Sequence, residues 1–283
     1  MADISLFVCC HQPVKVPSHS LLKPIQVGVK LSDERFENFL YDDEGDNISE
    51  KNRIYCELTA QYWAWKNFSA DYYGFFHYRR FLYPDIYAKR SYRIEGEPTQ
   101  KLLNKLKFDD FSKLIEGYDL ISPISEDMHI SVREHYANAP FHHKKDLDLI
   151  EQIIAEKYPK MKNASDTYLS QSKCYFGNIY IMSKPVFFDY CSWLFSILEE
   201  FDLRCDISNY SAQEKRVDGY LAERLFGIYL TYLKDISDLK ITELPRVHFV
   251  SDKSSRIKQR VINSLFPPGS CFRKKIKKLI KGR

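Results

Sequence analysis

Residues 71–82 read DYYGFFHYRRFL, and this stretch decides the fold class. Its segment 72–76 is aromatic apart from one glycine, which predicts a buried strand. His77, Arg79 and Arg80 follow directly, and three such groups at a strand end are costly to bury unpaired. Ligands of open α/β sheets bind beyond the carboxyl ends of strands. Because arginine forks match phosphate oxygens, we expect this strand end to bind a diphosphate.

The two arginines also have a purely structural alternative. Glu57 lies on a predicted helix upstream of the strand. It could pair with Arg79 or Arg80, and the cluster would then be an internal ion pair rather than an anion site. From this segment alone, both interpretations stay open.

Predicted strands and helices alternate on either side of residues 71–82. The sequence predicts strands over 4–9, 24–29, 72–76, 118–123 and 175–182, and helices over 49–67, 111–117, 146–158, 185–200 and 219–233. This alternation indicates an α/β fold with a largely parallel sheet. Residues 84–106 are charged and poor in apolar side chains, which predicts a long loop of the kind that often covers a binding site.

Length and composition exclude several classes of protein. The chain has 283 residues, of which 15% are aromatic, and this favours one large domain with a sizeable core. Neither a GxGxxG nor a GxxxxGK[ST] motif occurs, which argues against a Rossmann dinucleotide site and a P-loop. No apolar run approaches about 18 residues, and the first residues lack a basic stretch, so we expect no transmembrane helix and no signal peptide. Seven cysteines without a CxxC spacing argue against a zinc site and favour a reducing cytoplasm.

The net charge of +4 is distributed unevenly along the chain. Residues 252–283 contain eleven Lys/Arg and one acidic residue, whereas the preceding chain is mildly acidic. Within this tail, positions 272, 276, 279 and 280 are apolar at helical spacing. This pattern predicts an amphipathic helix that can lie on an anionic membrane surface. From the tail alone, a disordered solvated extension and a nucleic-acid-binding segment stay open as alternatives. We therefore divide the chain into a folded body over 1–250 and a basic amphipathic tail over 251–283.

A set of further motifs carries a family resemblance. In order, they are Asn47-Ile-Ser-x-Lys-Asn52, Tyr55-Cys-Glu-Leu-Thr59, Tyr62-Trp-Ala-Trp-Lys-Asn67, Gly74-Phe-Phe-His-Tyr-Arg-Arg80, Gly177-Asn-Ile-Tyr-Ile-Met182, Tyr190-Cys-x-Trp-Leu-Phe195 and Gly219-Tyr-Leu-Ala-Glu-Arg-Leu225. Over roughly residues 3–250 the chain resembles bacterial capsular and exopolysaccharide biosynthesis glycosyltransferases long filed as a domain of unknown function. Some relatives look like galactofuranosyltransferases. One departure is Asn178-Ile-Tyr-Ile, where many members carry Asn-Met-Phe-Ile, and it reads as a variation in packing.

The resemblance implies both a fold and a reaction. The fold is expected to be GT-A-like, an α/β fold with a mostly parallel central sheet flanked by helices, with the body 1–250 as the glycosyltransferase domain. A nucleotide-sugar donor, with galactofuranose from UDP as the expected case, would bind at the strand ends. The acceptor would be a capsular, exopolysaccharide or O-antigen chain, either lipid-linked or an oligosaccharide. Because capsule acceptors are usually lipid-linked, the resemblance favours an anionic membrane surface, and not nucleic acid, as the partner of the basic tail. The expected location is the cytoplasm, peripheral to the inner face of the cell membrane.

The resemblance and the residue types together assign roles at the donor site. Arg79 and Arg80 are expected to bind the donor diphosphate, with His77 as a catalytic neighbour. His11 follows the first strand, where a GT-A fold places the nucleotide. The start of the helix after residue 47 adds a plausible phosphate site. The predicted nucleotide-binding residues are thus His11, Asn47, Lys51 and Asn52.

Candidates for a general base lie further along the chain. Glu223 is on an otherwise apolar helix, where an unpaired carboxylate has a raised pKa suited to accepting a proton. It could instead be locked to Arg216 or Arg80 as an ion pair. A second source of a base or an acceptor contact is the segment with His142, His143 and Asp146, although Asp146 is better explained as the cap of the following helix.

The residues that follow the strand over 72–76 determine whether we expect a metal cofactor. GT-A enzymes usually hold Mn or Mg through an Asp-x-Asp there, whereas this chain has His77-Tyr-Arg-Arg80. Arginines could therefore neutralise the diphosphate, and we predict that no metal is required, although Mn or Mg remains possible. The nearest acidic alternative, Asp42-Asp43, reads as a solvated turn. A second function stays open, namely a non-catalytic module whose arginine cluster and tail bind anions and a membrane.

Overall fold

The structure, a computed structural model, describes residues 2–265, without the side chains of residues 263 and 264. Its strands are β1 (Ile4–Cys10), β2 (Leu22–Gln26), β3 (Leu40–Tyr41), β4 (Tyr72–His77), β5 (Arg80–Leu82), β6 (Tyr92–Glu95), β7 (Leu120–Pro123), β8 (Glu126–Asp127), β9 (Lys173–Cys174), β10 (Tyr180–Ser183), β11 (Ile241–Leu244) and β12 (Arg246–Phe249). Its α-helices are α1 (Asn52–Tyr55), α2 (Leu58–Asn67), α3 (Gln100–Lys105), α4 (Phe111–Ile115), α5 (Val132–Ala137), α6 (Lys144–Lys157), α7 (Lys162–Ser170), α8 (Lys184–Arg204), α9 (Val217–Ile236) and α10 (Lys253–Leu265).

The central sheet has the strand order β11-β7-β10-β4-β1-β2-β3. β1 lies between β2 and β4 and is parallel to both. β10 is antiparallel to both of its neighbours, while β7 and β11 are again parallel. A side branch continues from β4 through β5 and β12 to β6. The predicted fold class, an α/β fold with a mostly parallel sheet flanked by helices, is confirmed.

Apolar clusters cover both faces of this sheet. Phe7 in β1 belongs to the cluster that packs against α2, α6, α7, α8 and α9, whereas Leu6 and Val8 belong to the cluster that packs against α3 and α4. The division follows from the alternation of side chains along a strand. Gly74 in β4 allows close packing here, because a Cβ at this position would come within 2.4 Å of Leu6 Cδ2.

The predicted anion-binding residues His77, Arg79 and Arg80 lie at a tight turn between β4 and β5. β4 ends at His77 and β5 begins at Arg80, and these two residues pair across the intervening two. β1 ends one residue before His11. Since β1 and β4 are parallel neighbours, both chains leave the sheet at the same edge, and the rings of His11 and His77 lie 6.3 Å apart between centroids.

The strand predicted over 175–182 is shorter than expected, since β10 begins at Tyr180. Two further predicted elements differ more strongly from those observed. The helix predicted over 49–67 is broken, because Cys56 has a left-handed φ of 52° between α1 and α2. Asn52 Nδ2 donates a hydrogen bond to Cys56 O at 2.7 Å and stabilises the break. The loop predicted over 84–106 contains β6 and α3, because the edge of β12 supplies backbone partners that the local sequence does not reveal.

The chain after β12 continues as α10, which lies against β6. Arg260 Nε and Nη2 donate to Ile94 O at 2.8 and 2.6 Å. The amphipathic helix predicted around residues 272–280 lies outside the described residues. Among residues 2–265, no helix combines the length and apolar content needed to cross a bilayer.

Candidate functional site

A cavity of about 900 Å³ opens at the carboxyl edge of β1 and β4, and we term it the strand-end cavity. It is lined from four directions: the end of β1, the turn between β4 and β5, the segment around α1, and the start of α9. The polar lining residues are His11, Asn52, Arg53, Cys56, Glu57, His77, Arg79, Arg80, Lys215, Arg216, Tyr220 and Glu223. The structure therefore brings together residues that lie more than two hundred positions apart in sequence.

Positive charge exceeds negative charge in this cavity. The cations are Arg53, Arg79, Arg80, Lys215 and Arg216, and the carboxylates are Glu57 and Glu223. Within residues 2–265, none of these five cations forms a salt bridge. Burial lowers the pKa of Arg80, and the neighbouring charge of Arg246 lowers it further. Unneutralised cations in a concave site create a field that favours an anionic ligand.

The two histidines of the cavity stay neutral near pH 7. Burial lowers the pKa of His77 to about 3, and Arg80 and Arg79 add to the shift. The pKa of His11 is also lowered, chiefly by burial and then by Arg79 and Arg216. The backbone N–H of Arg79 donates to His77 Nδ1 at 3.2 Å, so the ring proton resides on Nε2. His77 can therefore donate a hydrogen bond without carrying charge.

Glu57 immediately precedes α2 and borders the cavity. Its Oε1 accepts a hydrogen bond from Asn178 Nδ2 at 2.9 Å, and the same amide donates to Gly219 O at 3.0 Å. Burial raises the pKa of Glu57, and the charge of Glu223 adds to the rise, against the lowering effect of its hydrogen bonds. The predicted alternative, an ion pair between Glu57 and the strand-end arginines, is not formed. A carboxylate with a raised pKa is suited to accept a proton near neutral pH.

Glu223, the base predicted from the sequence, has both carboxylate oxygens engaged. Its Oε1 accepts from the backbone N–H of Gly177 at 2.6 Å, and its Oε2 accepts from Arg224 Nη1 at 2.6 Å. Glu223 therefore forms an ion pair with Arg224, and the predicted pairing with Arg216 or Arg80 is wrong. Arg224 is the partner because its guanidinium is only 1% exposed and needs a nearby carboxylate to compensate its charge.

The residues predicted to bind the nucleotide divide into two groups. His11 and Asn52 line the cavity. Asn47 does not, and its Nδ2 donates to the backbone oxygens of residues 43 and 45 at 2.9 and 2.7 Å. Lys51 turns to Asp202, with Nζ 3.1 Å from Oδ2. Both side chains thus have structural partners outside the lining of the cavity.

The predicted histidine pair lies beside the cavity rather than in its lining. The ring of His142 stacks on Tyr220 with 4.2 Å between centroids, and Tyr220 itself lines the cavity. His143 Nε2 lies 3.1 Å from a carboxylate oxygen of Glu214. The two rings have different partners, and His142 is the closer to the site.

Asp146 is not the helix cap that the sequence predicts. α6 begins at Lys144, with His143 in the N-cap position. Asp146 is buried in the first turn, where it accepts a hydrogen bond from Tyr210 Oη at 2.7 Å. The prediction placed the start too late because lysines are unfavourable beside the positive end of a helix dipole.

The acidic alternative for a metal has a different role. Asp42 is fully buried, and its two carboxylate oxygens accept hydrogen bonds from Gly28 N, Val29 N, Ser49 Oγ and Thr59 Oγ1. The prediction of a solvated turn is therefore wrong for Asp42, which satisfies two backbone and two hydroxyl donors. Among the described residues, no group of three His, Cys, Asp or Glu side chains is arranged to hold a metal ion.

Sequence reasoning missed the contribution of Lys215 and Arg216. Both lie just before α9, and Arg216 Nε lies 3.3 Å from Cys56 Sγ. Consecutive cations at the start of a helix are opposed by the helix dipole. Two consecutive cations at this position could have indicated an anion site from the sequence, because a bound anion would compensate the unfavourable interaction with the helix dipole.

Comparisons with known proteins agree with this architecture. The chain is similar to the apo structure of WbbM, described as a bifunctional glycosyltransferase, with 33% identity and a TM-score of 0.83. The match covers 87% of this chain and 45% of the WbbM chain, so it spans less than half of that protein. No curated protein sequence matches significantly. The family described as Domain of unknown function (DUF4422) matches residues 5–234. Because this match extends over most of the sequence, the chain belongs to the DUF4422 family.

Proposed function

We propose that this protein is a glycosyltransferase that uses a nucleotide-diphosphate sugar as its donor. The observation that carries the proposal is the strand-end cavity, whose five cations have no salt-bridge partner within the described residues. Its place at the carboxyl ends of parallel strands is where α/β proteins bind such ligands. The similarity in sequence and fold to a protein described as a glycosyltransferase supports the same reaction class.

The donor diphosphate would lie between the β4–β5 turn and the start of α9. Arg79 and Arg80 approach from the turn, and Arg216 approaches from the helix. Guanidinium groups stabilise the charge that develops on a leaving diphosphate, an effect worth several kcal/mol in dry sites. His77 adds a neutral Nε2–H donor, and His11 is left to contact the nucleotide.

The acceptor hydroxyl must lose a proton during transfer. Glu57 is the favoured base, because it borders the cavity and burial raises its pKa. Glu223 also borders the cavity, but both of its oxygens accept hydrogen bonds, which favours a positioning role. Tyr220, backed by His142, offers an aromatic surface on which a sugar ring could rest.

The finer assignments rest on the sequence resemblance. They are galactofuranose from UDP as the donor, and a capsular, exopolysaccharide or O-antigen acceptor. The cations of the cavity support catalysis without a required metal, since they can neutralise the diphosphate themselves. The basic tail supports a location at the inner face of the cell membrane, where lipid-linked acceptors are found.

The proposal is tested by nucleotide binding and sugar transfer. UDP and UDP-sugars should raise the melting temperature of the full-length protein by mass action, and R79A should lose this shift. R90A is the matched control, because Arg90 is exposed and does not line the strand-end cavity. Transfer to an oligosaccharide acceptor should accompany binding. If nucleotides bind and no sugar donor is ever hydrolysed or transferred, the non-catalytic module becomes the better description.

A further inference from the structure

A second cavity, of about 650 Å³, lies outside the strand-end site and shares no lining residue with it. We term it the loop cavity, because the loop between β5 and β6 forms one side. β6, the end of α3 and Arg260 of α10 form the rest. Its charged lining residues are Asp85, Lys89, Arg90, Arg93, Glu95, Lys105 and Arg260. Positive charge again exceeds negative charge.

Three of these cations have no partner within the described chain. Arg93 and Arg260 both form ion pairs with Glu95, which neutralises that carboxylate. Lys89, Arg90 and Lys105 are exposed, and none of their side chains forms an ion pair or a hydrogen bond with residues 2–265. The loop cavity is therefore bordered by three unpaired cations, which suits a phosphate group.

The same loop and helix also expose apolar side chains. Of nine exposed large apolar residues in the described chain, five lie on these two segments: Ile86 (46%), Tyr87 (86%), Ile257 (52%), Val261 (50%) and Leu265 (65%). The last three recur every four residues and so form one stripe along α10. Unlike single exposed apolar residues, such a concentration marks an interaction surface.

The orientation of the stripe is fixed by the neighbouring face of α10. Arg256 Nη1 donates to Val250 O at 3.2 Å, and Arg260 donates to Ile94 O. These two arginines are one turn apart and face the body of the protein. The helix cannot rotate to bury its apolar stripe without breaking those hydrogen bonds, so the stripe stays available to a partner.

We propose that this surface docks on an anionic lipid bilayer. A lipid phosphate would occupy the loop cavity between Lys89, Arg90 and Lys105. The stripe on α10 would enter the boundary between headgroups and acyl chains, as amphipathic helices do, with Tyr87 at the interface. The cations would contact the layer of lipid phosphates, and the exposed aliphatic side chains would contact the acyl chains beneath that layer. Nucleic acid would leave the aliphatic stripe in water. This inference depends neither on the transferase function nor on residues 266–283.

Co-sedimentation of the full-length protein with vesicles tests the proposal. The vesicles would contain phosphatidylcholine alone or with phosphatidylglycerol. K89A/R90A/K105A should weaken binding to the anionic vesicles by roughly 100-fold, as expected for three basic residues near such a surface. I257S/V261S/L265S should weaken it by at least about tenfold. Replacing the seven Lys/Arg of residues 266–283 with Gln in a third protein separates the contribution of the tail.

The control removes an exposed cation and an exposed aliphatic side chain elsewhere. Lys160 is exposed and Leu203 is 83% exposed, and neither borders the loop cavity. K160A/L203S should bind vesicles as the wild type does. K89E/R90E/K105E should weaken binding to the anionic vesicles further than K89A/R90A/K105A does, while melting at an unchanged temperature. If K89A/R90A/K105A and I257S/V261S/L265S both bind anionic vesicles as the control does, the proposal is wrong. Binding of inorganic phosphate that requires the three cations, without any effect on vesicle binding, would also overturn it and leave a site for a free anion.

Discussion

Glu57 and Asn178 are joined by a 2.9 Å hydrogen bond between Oε1 and Nδ2, across 121 positions of sequence. Asn178 has a left-handed φ of 48°, and its amide also donates to Gly219 O. The start of α2, the turn before β10 and the first turns of α9 therefore meet at one side chain. This contact fixes the carboxylate of Glu57 at the edge of the strand-end cavity.

Replacing Glu57 should separate activity from stability. E57Q keeps an oxygen for Asn178 but cannot accept a proton, so transfer should fall by about 100-fold or more. Folding raises the pKa of Glu57, so its ionised form opposes folding. The free energy of unfolding of the wild type should then fall as pH rises from the ordinary value of 4.5 through the raised pKa, relative to E57Q. Denaturant titrations at several pH values measure this difference, and an E57Q protein with normal turnover would contradict the role.

The matching variant of Glu223 should behave in the opposite way. E223Q weakens the contact that compensates the buried guanidinium of Arg224. Stability should fall by about 3 kcal/mol, as for other broken internal ion pairs. Activity per folded molecule should fall less than in E57Q. A larger loss of kcat in E223Q, at normal stability, would make Glu223 the base.

The strand-end arginines should be needed for transfer and not for folding. R79A and R80A should each lower kcat/KM by about 100-fold, or about 2.7 kcal/mol of transition-state stabilisation. Both proteins should fold, because neither side chain forms a salt bridge within the described chain. Circular dichroism and donor turnover provide the measurement, with R90A as the control. Normal turnover in both variants rules out a role in binding the diphosphate.

Metal chelation should leave substantial activity. The cations of the strand-end cavity can neutralise a diphosphate, and Asp42 is engaged by four hydrogen-bond donors. Transfer assays with EDTA, and then with added Mn or Mg, measure the dependence. Complete loss with EDTA that is restored by either ion would show that another carboxylate holds a metal.

Deleting residues 268–283 should affect membrane binding alone. The deletion removes Arg273, Lys274, Lys275, Lys277, Lys278, Lys281 and Arg283. Folding and transfer to a small soluble acceptor should stay unchanged, while binding to anionic liposomes should weaken. Binding by the intact protein should also weaken with added salt, which screens the surface field. Identical liposome binding before and after the deletion would refute a membrane role for the tail.

The sequence was sufficient for the fold class, and it singled out four residues that line the strand-end cavity. Aromatic and apolar runs such as 72–76 are buried whichever helices cover them, so local pattern predicts the strands. His11, His77 and the two arginines follow strands that are parallel neighbours, and the carboxyl edge brings them together. Only the order and direction of these two strands are needed to bring the four residues together.

Contacts between distant segments explain what the sequence did not reveal. The break at Cys56 depends on a hydrogen bond from Asn52 and on close packing against Gly219 of α9. β6 forms because β12, more than a hundred residues later, offers an edge. The partner of Glu223 is decided by the burial of Arg224 rather than by spacing. Each of these is a tertiary effect that overrides local preference.

The excess of cations in the strand-end cavity has a consequence for turnover. The proposed transfer would convert a diphosphate diester into a nucleoside diphosphate, whose terminal phosphate has a second pKa near about 6 and so carries more negative charge at neutral pH. A cavity with Arg79, Arg80 and Arg216 should therefore hold the spent nucleotide more tightly than the donor. Release of that nucleotide would then limit the steady-state rate, and a rapid first turnover followed by slower cycling is the expected kinetic trace.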